Sequence, residues 1–218
     1  IANRSEKNPA IVILADRDKI EADSEIRRRI PNTFNTKVVF RTGSSLDVGD
    51  VAIVNPSQAK SIIILAPDSK EDVDIFTLKT LLAINLHPVQ ECGDRTIVSE
   101  LHDLVVLPLA RSIGGSGSVF IQPDQIISRL MAQTCRQSGL SVVYQDLMNF
   151  DGVEIYCAIE PRLHGFIYRD ALDCFNTSCL LGVINSDGTV VLNPEMDYAI
   201  RVDDELIFLA DDNSSIVF

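Results

Sequence analysis

The 218 residues contain no C-x-x-C pair, no H-E-x-x-H, no G-x-S-x-G, no P-loop lysine and no Tyr-x-x-x-Lys pair. The sequence therefore offers no catalytic constellation of the zinc-peptidase, serine-hydrolase, P-loop or short-chain dehydrogenase kinds. No apolar run approaches the roughly 20 residues that a membrane helix needs. The opening "IANRSEKNPA" is polar, and no signal peptide is expected in it. Positive charge is scarce too: 19 Lys and Arg stand against 31 Asp and Glu, a net charge of −12. Phosphate backbones need a basic surface, so nucleic acid is excluded as a partner, while cations remain admissible. The five cysteines, Cys92, Cys135, Cys157, Cys174 and Cys179, are odd in number, several of them in apolar runs. They read as reduced, inert thiols of a cytosol-facing chain.

What is present is alternation. "AIVILAD" is a short apolar run with β-branched residues that ends in Asp16, the pattern of a buried parallel strand. "TKVVFRTG", "AKSIIILAPD", "DRTIVSEL" and "SVFIQP" repeat it. Between them lie helical patterns, clearest in "SKEDVDIFTLKTLLAINL", whose first turn is acidic and whose apolar residues recur at helical spacing. "LHDLVVLPLARSI" is a further helix, with Pro108 expected to interrupt it. Strand–helix alternation implies a parallel sheet with right-handed crossovers.

One part of that pattern is missing. In a dinucleotide-binding fold, an acid placed like Asp16 closes the second strand and follows a glycine loop after the first. Nothing before Asp16 supplies that strand or those glycines. "GGSGS" at 114–118 precedes a strand, and Phe120 stands where a third glycine should be, so it reads as a flexible loop. The first strand is expected upstream of residue 1, and its normal place is between strands 10–15 and 60–66. The sheet should then show a gap there, direct closure, or a strand supplied from elsewhere.

From Asp124 the pattern changes. "DQIISRLMAQTCRQSGLSVVYQDLMNF" predicts two amphipathic helices broken at Ser138-Gly139. Such a pair either caps the sheet or forms an interaction surface, for which the methionines are suited. The last third is β-rich: "VEIYCAIEP", then "HGFIYRDALDCF" as loop and short helix, the hairpin "SCLLGVINSDGTVVLNP" turning at Ser186–Gly188, and a closing strand in "DYAIRVDDELIFLAD". The organisation is a Rossmann-like lobe over 1–122, a helix pair over 123–150 and a small lobe over 151–218.

"IVILADRDK", "FRTGSSL", "AKSIIILAPD", "TIVSEL", "ISRLMAQTCRQSGL" with "QDLMNFDGVEIY", and "LNPEMDYAIRVDDELIFLAD" resemble, in order and spacing, segments of the RCK (TrkA-N plus TrkA-C) regulatory domain of the CASTOR/POLLUX ion-channel family. The resemblance covers nearly the whole chain. It implies an α/β fold: a Rossmann-like parallel sheet lobe lacking its first strand, a crossover helix pair and a β-rich C-terminal lobe. It further implies a cytosolic, non-catalytic gating-ring domain of a potassium-type cation channel, at the membrane's cytosolic face, with the pore upstream and a start inside the first helix. Asp203-Asp204 departs from the Gly-Asp usual in related domains; aspartate tolerates a left-handed turn, and the hairpin should survive. Two other readings stay open: a separate regulatory subunit of a potassium uptake system, and a nicotinamide-dependent oxidoreductase trimmed of its first strand.

The strand ends mark a ligand crevice: Asp16, Gly43 with Ser44, Asp68 and Glu100. Asp16 can hold a ribose, and the Gly43 amides can approach a phosphate. A complete nucleotide site is not expected without the upstream glycine loop. Asp16, Asp68 and Glu100 can instead supply carboxylates to Ca2+, or act only as helix caps and solvated strand-end acids. No EF-hand loop exists, since "DSKEDVDIFTLK" lacks its central glycine. The three histidines, His87, His102 and His164, have no ligand spacing. The expected self-association surface is the helix pair, through Ile127, Leu130, Met131, Val143 and Leu147. It gives a dimer first and a tetrameric or eight-lobed ring as the full assembly.

Overall fold

The first half of the chain folds as five parallel strands that fall into two sheets. This computed structural model describes residues 9–66, 73–87, 95–149, 152–211 and 216. In chain order the elements are β1 (Ala10–Ala15), α1 (Lys19–Arg29), β2 (Lys37–Thr42), α2 (Val48–Ile53), β3 (Ser61–Ile64), α3 (Val73–Asn85), β4 (Thr96–Glu100), α4 (Leu107–Gly114) and β5 (Ser118–Ile121). Then follow α5 (Pro123–Arg136), α6 (Leu140–Leu147), β6 (Glu154–Ala158), α7 (Tyr168–Leu172), β7 (Ser178–Ile184), β8 (Val190–Leu192) and β9 (Glu205–Ala210).

Among the described residues β1 pairs only with β2, and β3, β4 and β5 form the second sheet in that order, with parallel pairing in both. The two sheets share one core: Leu14 of β1 packs against the cluster of Val51, Ile64, Leu81, Ala83, Ile84 and Ile97. Yet among the described residues β1 and β3 do not pair, so the expected gap is present. Its edges can be read from the backbone. The Pro9 and Ala15 carbonyls accept from Lys37 and Gly43 on the β2 side. By strand alternation the peptide groups of Ala10, Val12 and Leu14 point the other way. The Lys60 carbonyl accepts from Thr96, so those of Ser61 and Ile63 likewise point away from β4. Val12 is 45% exposed and Ile63 62%, high for mid-strand β-branched residues of a parallel sheet.

Local chemistry sets the helix ends. Asp18 caps α1 by accepting from the amides of Ile20 and Glu21. Asp47 does the same for α2 through Asp50. Pro108 does not interrupt a helix; it lies in the first turn of α4, where a missing N–H costs nothing. Residues 114–118 are not a loose loop: the Gly115 amide caps Arg111, and Ser118 donates to the Gly114 carbonyl.

The chain separates into two compact units, Ile1–Ser128 and Arg129–Phe218, with the division inside α5. The second unit holds an antiparallel sheet ordered β6-β9-β7-β8. One face of it packs on α7 around Leu163, Tyr168, Val183, Ile200, Leu206 and Phe208. Phe175 meets Phe208 edge-on at 4.8 Å between ring centroids. The hairpin turn falls at Ser186–Gly188, with Gly188 at φ +82° and the Gly188 amide bonded to Asn185. The left-handed turn expected at Asp203 is not there: among described non-glycine residues, positive φ occurs at Phe34, Asn55 and Asn193. Asp204 closes the turn instead. It is 2% exposed, and its carboxylate accepts from the Arg201 amide at 2.9 Å and the Tyr198 hydroxyl at 2.7 Å.

Candidate functional site

Asp16 follows the last residue of β1, and Gly43 follows the last residue of β2, so both stand at carboxyl ends of parallel strands as expected. The phosphate-cradle reading of Gly43 and Ser44 fails on their amides. Gly43 N–H is bonded to the Ala15 carbonyl at 3.1 Å. Ser44 N–H is bonded to Asp50 Oδ2 at 2.8 Å. A carboxylate already fills the place of the anion, and Gly43 is needed for that fit: a Cβ there would lie 2.9 Å from Asp50 Cγ. The signal was present in the sequence, since Asp50 stands in the first turn of a short helix seven residues on.

Glu100 ends β4 and takes part in a denser acidic region. Asp74, in the first turn of α3, accepts from the His102 amide at 2.9 Å and the Asp103 amide at 2.7 Å. His102 Nδ1 lies 3.0 Å from Asp124 Oδ2 in the first turn of α5. The hydrogen bond to Asp124 raises the His102 pKa above its usual value; the charges of Asp124, Asp74 and Glu100 add to this, and partial burial opposes it. Asp16 and Glu100 do not stand on neighbouring strands, because β1 and β4 belong to different sheets. Asp68 lies outside the described residues. Among the described residues no group of three His, Cys, Asp or Glu is close enough to hold a metal ion.

The helix pair is built as the sequence predicts. Gly139, at φ +89°, turns the chain from α5 into α6, and the Tyr144 hydroxyl donates to Gln133 across the pair. Neither helix has a buried residue. Ile127 is 55% exposed, Met131 64% and Val143 51%, while Leu130 and Leu147 are half-buried. All five proposed contact residues are thus accessible.

A family model described as "Castor and Pollux, part of voltage-gated ion channel" matches residues 124–217. The "Probable ion channel POLLUX" of Arabidopsis thaliana is 33% identical over 217 residues, covering 99% of this chain and 26% of that protein. This chain belongs to the Castor/Pollux family. The "Ion channel CASTOR" of Lotus japonicus is 32% identical over 218 residues, with 99% of this chain and 25% of that protein covered. The chain thus spans about a quarter of the length of these family members. In three dimensions it is similar to the human SLO3 gating ring, with a TM-score of 0.70 and 16% identity over 95% of this chain and 41% of that one. That likeness shows the fold, a Rossmann-like lobe with a β-rich C-terminal lobe. Among the described residues of this family member no helix is long and apolar enough to cross a membrane.

Proposed function

We propose that this chain is a non-catalytic regulatory domain of a potassium-type cation channel, standing at the cytosolic face of the membrane. The observation that carries the reading is the pair α5–α6, an apolar but unburied surface, in a chain one-third identical to proteins named as ion channels. Such a surface serves assembly better than folding. Copies of the domain associate through Ile127, Leu130, Met131, Val143 and Leu147, giving a dimer and then a tetrameric or eight-lobed ring. The pore lies upstream in the full protein.

The ligand that the ring responds to is proposed to be a cation, with Ca2+ first. The support is charge: Asp74, Glu100, Asp103 and Asp124 surround His102 at one end of the parallel sheet, in a chain of net charge −12. Asp16, Asp68 and Glu100 remain the proposed ligands. A nucleotide is not proposed, because the Gly43 and Ser44 amides are already engaged. The test is electrical. In the full channel, Leu130→Asp should abolish the ligand-dependent change in current while leaving protein at the membrane; an unaltered response would refute the reading.

A further inference from the structure

A sheet that packs on one side and meets water on the other alternates apolar and polar residues. The C-terminal sheet does not. Its inward positions are fixed by Leu206 and Phe208 of β9 and Val183 of β7, which lie in the core. The opposite face carries Ile155 and Cys157 on β6, Ile207 and Leu209 on β9, Cys179 on β7, and Val190 and Leu192 on β8; Ile207, at its centre, is only 5% exposed, and the accessible part is the surrounding rim. Ile155, Leu209 and Cys179 lie side by side across three adjacent strands. Ile155 and Val190 are 56% exposed and Leu192 64%; both cysteines are exposed free thiols. Glu205, at one end of β9, is the one charged residue at an outward position of these four strands.

We propose that this outward face is a second contact between copies of this chain, sheet against sheet, separate from the helix pair. Three features favour a second copy as the occupant. Apart from Glu205 at one end the face is uncharged, so its apolar part complements itself. A two-fold axis over β9 reverses the strand in the partner and keeps the two Glu205 carboxylates at opposite ends. Two such faces packed at about 10 Å bury roughly 1,000 Å², the lower bound for a specific contact. One chain with two different two-fold contacts closes as a tetramer when the two axes cross at right angles, which neither contact gives alone. The inference deepens the self-association reading and does not depend on α5–α6 being its other contact.

Cys157 and Cys179 are built-in reporters. Maleimide labelling of the 218-residue chain, read by mass spectrometry over a concentration series, should slow several-fold at both thiols as assembly sets in. Cys174, which packs toward the opposite, core side, serves as the reference. Leu192→Lys, at a position already 64% exposed, should keep the fold, halve the assembled mass and restore labelling; Ile155→Lys should repeat this. Constant labelling at all concentrations, or a mass unchanged by both variants, overturns the proposal. So does a full-length protein in which both thiols are protected even when monomeric, because the occupant is then the remainder of the chain. Leu130→Asp should alter the mass without exposing Cys157 or Cys179. If Leu130→Asp is silent and Leu192→Lys is not, the helix-pair reading fails and this one stands.

Discussion

His102 shows how one residue joins three elements. Its amide is held by Asp74 of α3 and its ring by Asp124 of α5. A pKa raised in the folded state means that the pair adds stability at pH values below the unfolded pKa of about 6.5. That stability is lost as pH rises through the higher folded value. Asp124→Asn should bring the His102 pKa down toward its unfolded value, as read by NMR titration; no movement would mean that the bond to Asp124 is absent in solution. Tyr198 makes a sharper test of packing, because Asp204 beneath it is almost wholly buried. Tyr198→Phe leaves that carboxylate with the Arg201 amide and one donor fewer, at a cost of about 1–3 kcal/mol by urea denaturation. The pairing of Asp204 was not legible in the sequence. "VDDE" marks a turn, but which aspartate faces inward depends on the register of β9 with β6 and β7.

At the scale of elements, period and punctuation carried most of the information. Buried parallel strands are apolar runs, and Gly139 and Ser186–Gly188 mark turns that need special backbone angles, so these were readable. Pro108 was misread because proline breaks a helix interior and favours its first turn, and only the true start of α4 separates the two. The gap between β1 and β3 has a direct consequence for hydrogen exchange. Amides of Val12, Leu14 and Ile63, which face the gap, should exchange faster than those of Ile11, Ile13 and Ile62 beside them. Equal protection would show that the gap closes in solution. Gly182 tests the second sheet: a Cβ there would stand 2.3 Å from the Val191 carbonyl oxygen. Gly182→Val should therefore detach β8 and destabilise the unit by about 2–3 kcal/mol.

For the whole molecule, the fold and family were legible because they rest on many weak, ordered signals along the chain. The site was less so. Asp16, Gly43 and Glu100 were placed correctly at strand ends. Asp50, six residues beyond Ser44, was a local signal that was passed over; the acidic surroundings of His102 are contacts between distant segments that no local pattern encodes. The outward face of the C-terminal sheet escaped for a related reason: its strands were assigned one by one, and only the finished sheet shows that their outward apolar residues lie on one face. The most direct measurement of the central claim, that α5–α6 assembles copies of this domain, is the mass in solution by light scattering of the wild-type chain and of Leu130→Asp. The wild type should be a dimer or larger, and Leu130→Asp should be smaller by at least half while keeping its circular dichroism, because a charge in that contact is left unpaired. A wild type that stays monomeric at high concentration, or a Leu130→Asp chain of unchanged mass, would contradict the claim.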